Sequence, residues 1–359
     1  MSEGSDARPP AMPGVALVGY GSAGRGIHAP LLTAAGVTPV VVVTSASERV
    51  AQVEADLPGV PVVPDLPAAL DGTTGVGRGL DLVVLASPSG VHVEQALACL
   101  AAGVAVMVDK PLATDADSAA ALVAAARSAG VPLTVFQNRR WDDESRTLAT
   151  LLADGRLGRV SRFERRWERW RPHPKDRWRE NASAVDGGGL LLDLGSHTVD
   201  AALTAFGPVT SVYAELAART MPAEDEVFLS LQHAGGVRSH LGMTSVAGAP
   251  GPRTRVLAER GAYVVTEFED EAAGFAPSGV AAASLSGHTG WLVAGTQVHP
   301  VPTTPGGHHQ IYPAVFAALR LPPDLRQAAM PVQPDDVVAV LQVLDAARVS
   351  AREGRVVAL

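Results

Sequence analysis

An acid and an imidazole stand four residues apart in the segment GGGLLLDLGSHTVD, which covers residues 187–200. Four residues is slightly more than one helical turn, so Asp193 and His197 are expected on the same face of a helix. The carboxylate should raise the pKa of the imidazole and fix its tautomer, and such a histidine can accept or return a hydroxyl proton. The same spacing also suits a pair that only supports the helix, or two metal ligands. No motif places a third ligand, so we expect no metal.

A lysine follows the apolar run Val104–Val108 and precedes Pro111. If that run is a strand of a parallel sheet, Lys110 lies at its carboxyl end, where ligands bind in open α/β sheets. Its ammonium group could hydrogen-bond a reacting hydroxyl and stabilise a developing alkoxide. The residues alone also allow a surface lysine before a helix.

The apolar run that begins at Val15 leads directly into Gly19-x-Gly21-x-x-Gly24. Glycines at these positions allow a tight turn, a close approach of the backbone to a pyrophosphate, and close packing of helix on strand. The helix that follows offers free N–H groups to the phosphates, so the turn, with Ser22 and Ala23, predicts a dinucleotide site. A glycine turn without a ligand is the alternative.

The position that selects the cofactor lies about 20 residues further on, where an acid would bind the 2′-hydroxyl of NAD. This chain has Thr44 and Ser45 there, with Arg49 a turn later and no acid at the strand end. Hydroxyls and a guanidinium can bind a 2′-phosphate, which an acid would repel. We therefore expect NADP, with NAD as the second choice, unless Arg49 is a solvated residue paired with Glu48 or Glu54.

Six short, valine-rich runs alternate with Ala-rich helical stretches in the first 137 residues. Nearly continuous apolar runs are typical of parallel strands that are buried on both faces, and the alternation predicts a doubly wound Rossmann sheet of the α/β class. The strands are expected at Val15–Gly19, Val40–Thr44, Val60–Val63, Leu82–Ser87, Val104–Val108 and Leu133–Gln137, with helices near 24–35, 91–102 and 114–129.

The second half has a different pattern, in which a helix at about 186–206 precedes consecutive strands and a helix at about 334–353 ends the chain. Consecutive strands, with a hairpin around Ala234-Gly235-Gly236, predict an α+β domain with an open, mostly antiparallel sheet. The stretch 270–310 shows no clear period. We expect a disordered tail over 1–13, a dinucleotide-binding domain over 14–137 and a second domain over 138–359. Its strands are expected at 209–217, 226–233, 237–244, 254–259 and 262–268.

The composition excludes several classes of protein. The 359 residues carry a formal net charge of −8, which argues against nucleic-acid binding. The apolar runs are far too short to cross a bilayer, and the N-terminal residues include no apolar segment of signal-peptide length, so we expect no membrane contact. A single cysteine, Cys99, excludes an internal disulfide and fits a reducing compartment. We therefore expect a cytoplasmic protein.

Three motifs together resemble the glucose–fructose oxidoreductase/inositol dehydrogenase superfamily (Gfo/Idh/MocA type). They are the glycine turn continued to His28 and Pro30, then Asp109-Lys110-Pro111, then Asp193-x-x-x-His197. The segments VFQNRRWD (135–142), DRWRE (176–180) and GGGLLLDLGSHTVD (187–200) are similar to the NADP-dependent scyllo-inositol dehydrogenase branch. The resemblance covers nearly the whole chain after residue 13.

This resemblance implies a Rossmann domain followed by a substrate-binding α/β domain whose open sheet joins copies into a homo-oligomer. It implies Lys110, commonly followed by a cis proline, Asp193 and His197 as the catalytic residues. It also implies cofactor contacts beyond the glycine turn, from Ser87, Pro88, His92, Asp109, Lys110, Asn138, Arg140 and Trp141. His92 can equally be a residue that only begins a helix. The family often has Thr-Pro-Asn where this chain has Ser87-Pro88-Ser89, so one amide is missing.

The expected function is an NADP-dependent oxidoreductase. It would transfer a hydride between nicotinamide and a secondary alcohol or ketone of a cyclic polyol or sugar, of the inositol type. A keto-sugar reductase of secondary metabolism is one alternative, and a non-catalytic NAD(P)-binding regulator is another, which the presence of all three implied catalytic residues disfavours. The Arg- and Trp-rich run 162–180 is interpreted as a solvated strand face or an oligomer interface. His308 and His309 are either polyol contacts or part of a surface loop.

Overall fold

The structure is a computed structural model that describes residues 12–71, 79–173, 182, 187–266 and 287–359. Residues 1–11 of the predicted tail, residues 174–180 of the Arg- and Trp-rich run and the first part of the aperiodic stretch 270–310 lie outside the described residues.

The first sheet has six strands, all paired in parallel, as the valine-rich runs predicted. Leu17 lies beside Val42 on one side and Val84 on the other, and all three are completely buried. The strands are β1 (Val15–Val18), β2 (Val41–Val43), β3 (Val62–Val63), β4 (Leu82–Leu85), β5 (Ala105–Asp109) and β6 (Leu133–Phe136). Their order, β3-β2-β1-β4-β5-β6, is the doubly wound topology.

Five helices connect these strands within the described residues: α1 (Ala29–Ala34), α2 (Ser47–Asp56), α3 (Leu66–Leu70), α4 (His92–Ala101) and α5 (Ala116–Ala129). The predicted helix 24–35 begins with a π-helical turn, Gly24–His28, before it continues as α1. Short 3₁₀ turns precede α4 at Ser89–Val91 and follow β6 at Asn138–Trp141. These turns place the polar residues that follow β4 and β6 at the carboxyl edge of the sheet.

The second sheet is mixed but mostly antiparallel, as predicted. After α6 (Asp143–Ala153) come β7 (Val160–Glu168), α7 (Leu190–Asp193), α8 (Gly195–Phe206), β8 (Val209–Ala217), β9 (Glu226–His233), β10 (Arg238–Thr244), β11 (Thr254–Ala258), β12 (Gly261–Val265), β13 (His288–Ala294), β14 (Gln297–Pro302), α9 (Ile311–Leu319), α10 (Pro323–Arg326), α11 (Pro334–Glu353) and β15 (Val357–Ala358). The strand order is β14-β13-β12-β11-β7-β10-β9-β8-β15, and β7 with β10 is its parallel pair.

Alternate residues of strand β7 form a buried face that is turned towards the helices. Phe163, Arg165 and Trp167 are buried, and the ring of Phe163 packs against Phe206 of α8 with the centroids 5.2 Å apart. Arg165 and Trp167 on this face therefore lie beneath α8, the helix that carries His197.

The prediction of one continuous helix over 186–206 is wrong. Two helices, α7 and α8, meet at Leu194, and residues 183–186 lie outside the described part. Gly189 has a φ of +90°, and a Cβ there would overlap the carboxylate of Glu224. The carbonyl of Glu224 accepts the N–H of Leu190, and its carboxylate accepts the N–H of Leu191. Helix α7 begins at Leu190 because Glu224 satisfies these first N–H groups.

The final helix was predicted at its observed bounds, and Gly354 ends it with a φ of +64°. This helix, α11, packs against α5 as well as against α8 and β8, so it connects the two halves of the chain. Strands β13 and β14 lie in the stretch where the sequence showed no period. Their pairing includes a register shift between His288 and Trp291, which interrupts regular alternation.

Candidate active site

The glycine turn after β1 is built for a close approach of backbone. Gly19 has a φ of +89°, and a Cβ there would lie 2.8 Å from the carbonyl oxygen of Ala86. A Cβ on Gly24 would overlap the carbonyl oxygen of Gly19. Ser22, between them, is exposed, and Ala23 is half-buried. Side chains on Gly19 or Gly24 would push the strand and the helix apart. Glycine at both positions keeps the turn compact enough for a pyrophosphate to approach the backbone.

The structure brings Arg49 to this turn. A Cβ on Gly21 would lie 3.6 Å from Nη1 of Arg49, so the exposed guanidinium lies against the middle glycine. Thr44 is nearly buried at the end of β2, and Ser45 beside it is exposed. Within the described part of the chain, no ion pair joins Arg49 to Glu48 or Glu54. The hydroxyls and the guanidinium thus form one polar group beside the turn.

Lys110 and Asp193 form a close ion pair at the carboxyl edge of the first sheet. Nζ of Lys110 donates to Oδ1 of Asp193 at 2.6 Å and to its backbone carbonyl at 2.7 Å. The lysine side chain is 11% exposed and the aspartate side chain 28%. The Lys110–Pro111 bond is cis, as the resemblance implied. The ammonium group of Lys110, which follows β5, is therefore held against the C-terminal end of α7.

Asp109 faces the protein interior rather than the cleft. Its Oδ1 accepts the backbone N–H of Lys110 at 2.8 Å, and Oδ2 lies 3.8 Å from Nε2 of His28. Nδ1 of His28 in turn contacts the hydroxyl of Tyr312 at 2.7 Å. Burial alone would raise the pKa of Asp109, but the contact with His28 and the nearby positive charges hold it below its ordinary value. Its oxygens contact Lys110 and His28 within the chain, and the expected cofactor contact at Asp109 stays a prediction.

His197 is oriented by stacking instead of by the carboxylate. The imidazole is 8% exposed and stacks on Trp167 with the ring centroids 5.8 Å apart and an interplanar angle of 26°. Its Nδ1 is buried without a hydrogen-bond partner among the described residues. Asp193 raises the pKa of His197, as expected, but the net shift is in the opposite direction. Burial first, and then the charges of Lys110 and Arg139, hold that pKa well below 6.5 against the opposing charge of Asp193.

Asn138 and Trp141, two of the residues that follow β6, contact the segment that contains His308. Asn138 is nearly buried, and its amide lies 3.5 Å from Nδ1 of His308, whose Nε2 is 2.8 Å from Asp142. Trp141 is also nearly buried, and its carbonyl accepts the N–H of Gly307 at 2.7 Å. His308 is therefore part of a hydrogen-bonded cluster, whereas His309 is exposed. Both histidines and Trp141 line a cavity of about 820 Å³.

Arg140 is held by two carboxylates, and its expected contact with the cofactor stays a prediction. Its Nε and Nη2 donate to the two carboxylate oxygens of Asp200 at 2.9 and 2.6 Å, and its Nη1 donates to Asp336 at 3.0 Å. This bidentate geometry is the strong form of an arginine–carboxylate pair. The guanidinium therefore fixes the turn after β6 against α8 and α11.

The loop after β4 presents Ser87 and Pro88 at the same edge of the sheet. Pro88 is exposed, and the hydroxyl of Ser87 donates to Gln95 at 2.6 Å. His92 is the first residue of α4, and its expected contact with the cofactor stays a prediction. It is 1% exposed, and both of its ring nitrogens contact backbone carbonyls.

Two residues that the sequence reasoning did not assign belong to the site. Trp167 supplies the ring under His197, and Asp200 holds Arg140 in place. The alternation of Phe163, Arg165 and Trp167 was a usable signal for the first, because it turns Trp167 towards the helices. Asp200 follows His197 by three residues, which places it on the same helix face.

Two family profiles match the chain. The profile for the oxidoreductase family with an NAD-binding Rossmann fold matches residues 14–137, and the GFO/IDH/MocA C-terminal domain profile matches residues 145–264. With the doubly wound sheet, the glycine turn and the lysine at the sheet edge, they show that the chain belongs to the GFO/IDH/MocA family of oxidoreductases.

Three similar proteins illustrate the relationship. The uncharacterized oxidoreductase YdgJ of Escherichia coli K12 is 38% identical over 251 residues, which is 70% of each chain. The scyllo-inositol 2-dehydrogenase (NADP(+)) IolW of Bacillus subtilis 168 is 29% identical over 357 residues, 96% of this chain and 95% of IolW. The crystal structure of the WlbA dehydrogenase of Bordetella pertussis, in complex with NADH and UDP-GlcNAcA, matches with a TM-score of 0.76 and 25% identity, over 97% of this chain and 99% of WlbA.

The protein is thus an oxidoreductase with an NAD(P)-binding Rossmann domain, acting on the CH–OH group of a small molecule. Among the described residues, every helix is too short or too polar to cross a membrane.

Proposed function

We propose that this protein is an NADP-dependent dehydrogenase that interconverts a secondary alcohol and a ketone on a cyclic polyol or sugar of the inositol type. The observation that carries the proposal is the meeting of Lys110, Asp193 and His197. The lysine comes from β5 and the other two from α7 and α8, and the charges of Lys110 and Asp193 both act on His197. The similarity to IolW over nearly the whole chain supports a polyol substrate.

The preference for NADP is supported by the polar group beside the glycine turn. Thr44 and Ser45 stand where an acid would repel a 2′-phosphate, and the guanidinium of Arg49 is close enough to Gly21 to reach a nucleotide bound there. The tight turn at Gly19 and Gly24 fits the pyrophosphate of the same cofactor. When it is bound, its nicotinamide supplies the hydride acceptor or donor.

The residues of the chain supply the proton and the charge. Because the pKa of His197 is held low, its imidazole is neutral at neutral pH and can accept the hydroxyl proton during oxidation. The ammonium of Lys110 can hydrogen-bond the same oxygen and stabilise negative charge on it. Asp193 contacts the lysine directly, because its carboxylate and its carbonyl both hold Nζ in place, and it acts on the histidine through its charge.

The test is a panel of inositol isomers, sugars and nucleotide sugars with both cofactors, followed at the absorbance band of reduced nicotinamide. We expect turnover of at least one cyclic polyol or sugar with NADP⁺, and its loss in Lys110→Ala. NADPH binding without turnover of any compound in either direction would instead favour the non-catalytic regulator.

We further propose that copies associate through the open face of the second sheet. On this face Phe228 is 36% exposed and contacts His240 with the ring centroids 5.9 Å apart. The opposite face of the same strands is buried under the helices, with Val227, Leu229 and Leu241 almost inaccessible. The open face is therefore the one available to a second copy of the chain.

A further inference from the structure

His92 contacts two backbone carbonyls from inside the protein. Its Nδ1 lies 2.8 Å from the carbonyl oxygen of Pro111, and its Nε2 lies 2.9 Å from the carbonyl oxygen of Ser87. A carbonyl oxygen only accepts hydrogen bonds, so each ring nitrogen must carry a proton to bond its partner. A neutral imidazole has one N–H, whereas the imidazolium has two. The geometry at both nitrogens therefore calls for the doubly protonated ring.

The two carbonyls belong to the two loops that border the reacting centre. Ser87 follows β4, directly after Ala86, whose carbonyl lies against Gly19 of the cofactor turn. Pro111 follows Lys110, whose ammonium is held by Asp193. His92 thus sets the separation between the loop nearest the glycine turn and the lysine. A displacement of about 1 Å between reacting groups can cost about 100-fold in rate.

A buried cation needs a counter-charge, and Asp109 supplies one. Its carboxylate is almost inaccessible, and its pKa is held down by charges that include that of His92. Other charged or titratable groups near this point include Lys110 on the same strand end and His28, which lies against Asp109. On the helix of His92 itself, Glu94 is exposed to solvent.

We propose that His92 is a positioning residue for hydride transfer, held as an imidazolium that bonds the carbonyls of Ser87 and Pro111 at once, with Asp109 as its counter-charge. Loss of either ring proton would set a nitrogen lone pair against a carbonyl oxygen and push the two loops apart. The effect on turnover rests on the proposed function, whereas the protonation state does not.

The protonation state is measured by NMR of the whole protein with ¹⁵N-labelled histidine, at neutral pH, with and without NADPH. The chain has 10 histidines, and the signals of His92 are those that disappear in His92→Asn. We expect both ring nitrogens of His92 to show protonated shifts. A non-protonated nitrogen in the active protein would overturn the proposal, whether or not a substrate has been found.

The positioning role is measured with His92→Gln, which has a single donor nitrogen and cannot bond both carbonyls. We expect kcat to fall about 100-fold, with the dissociation constant of NADPH and the melting temperature close to those of the parent protein. His299→Gln, at an exposed histidine on β14, is the matched control and should retain full turnover. Parental kcat in His92→Gln would overturn the positioning role, and so would a lower melting temperature with unchanged kcat.

Discussion

Removal of the Arg49 guanidinium should change the cofactor preference and nothing else. The group is exposed, and its Nη1 lies 3.6 Å from the position that a Cβ on Gly21 would take. Because Arg49 pairs with neither Glu48 nor Glu54 in the described part of the chain, Arg49→Ala breaks no ion pair there. The variant should therefore fold as the parent does and lose only the charge that faces the 2′-phosphate.

The size of the effect follows from the kind of contact. A charge-assisted hydrogen bond contributes about 1.5–3 kcal/mol, and each 1.4 kcal/mol corresponds to about tenfold in a dissociation constant. We expect Arg49→Ala to weaken NADPH binding by about 10- to 100-fold, with the smaller value at high salt because the group is exposed. NADH binding should hardly change, because NADH has no 2′-phosphate.

The assay is a fluorescence titration of both reduced cofactors at two salt concentrations, with Arg49→Lys as an intermediate that retains the charge without the planar fork. Arg320→Ala, at an exposed arginine that follows α9, is the matched control. An equal loss of affinity for NADPH and NADH, or unchanged NADPH binding, would refute the assignment of Arg49 to the 2′-phosphate.

Further expectations concern the reacting groups, the thiol and the association of copies. His197→Ala and Lys110→Ala should each reduce turnover by about 10²–10⁴-fold, and Asp193→Asn should reduce it less and leave NADPH affinity unchanged; near-parental turnover in His197→Ala would contradict the mechanism. In the oxidation direction the rate should fall only when the pH is well below 6.5, because the low pKa of His197 delays its protonation, and an acid limb at or above 6.5 would be inconsistent with it as the base. Cys99→Ala should keep full turnover, because this buried thiol, with its pKa raised to about 12 by burial, has no role in the site; lost activity in a folded variant would show otherwise. Phe228→Arg should reduce the mass measured by light scattering to that of one chain, and an unchanged assembly would place the interface elsewhere.

Local features of this chain followed from the sequence because they depend on neighbours along the backbone. The valine-rich runs predicted the parallel sheet, since strands buried on both faces have little choice of residue type. The three glycines marked the cofactor turn, because only glycine fits where a Cβ would meet Ala86 or the Gly19 carbonyl. The bounds of α11 were likewise set by local signals, with Pro334 in its first turn and Gly354 at its end.

The pairing of charges was decided by the tertiary structure. The sequence placed Asp193 with His197, because they are four residues apart, but the fold brings Lys110 from 83 positions away to within 2.6 Å of that carboxylate. The break at Leu194 and the stacking on Trp167 then leave the imidazole in a largely buried, positively charged setting. A pKa depends on burial and on every nearby charge. The spacing of two residues along the chain gives neither their burial nor the charges around them.

The contacts of the other predicted site residues were also decided by the tertiary structure. Sequence similarity indicated Arg140, Asp109 and His92 as cofactor contacts, because a motif records which residue occurs and not where its atoms point. The fold directs Arg140 to Asp200, Asp109 to His28 and His92 to two carbonyls. The sequence by itself determined the class of fold and the chemistry that is present. Only the packing of distant segments decided which atoms meet, because hydrogen bonds and ion pairs depend on distances in space.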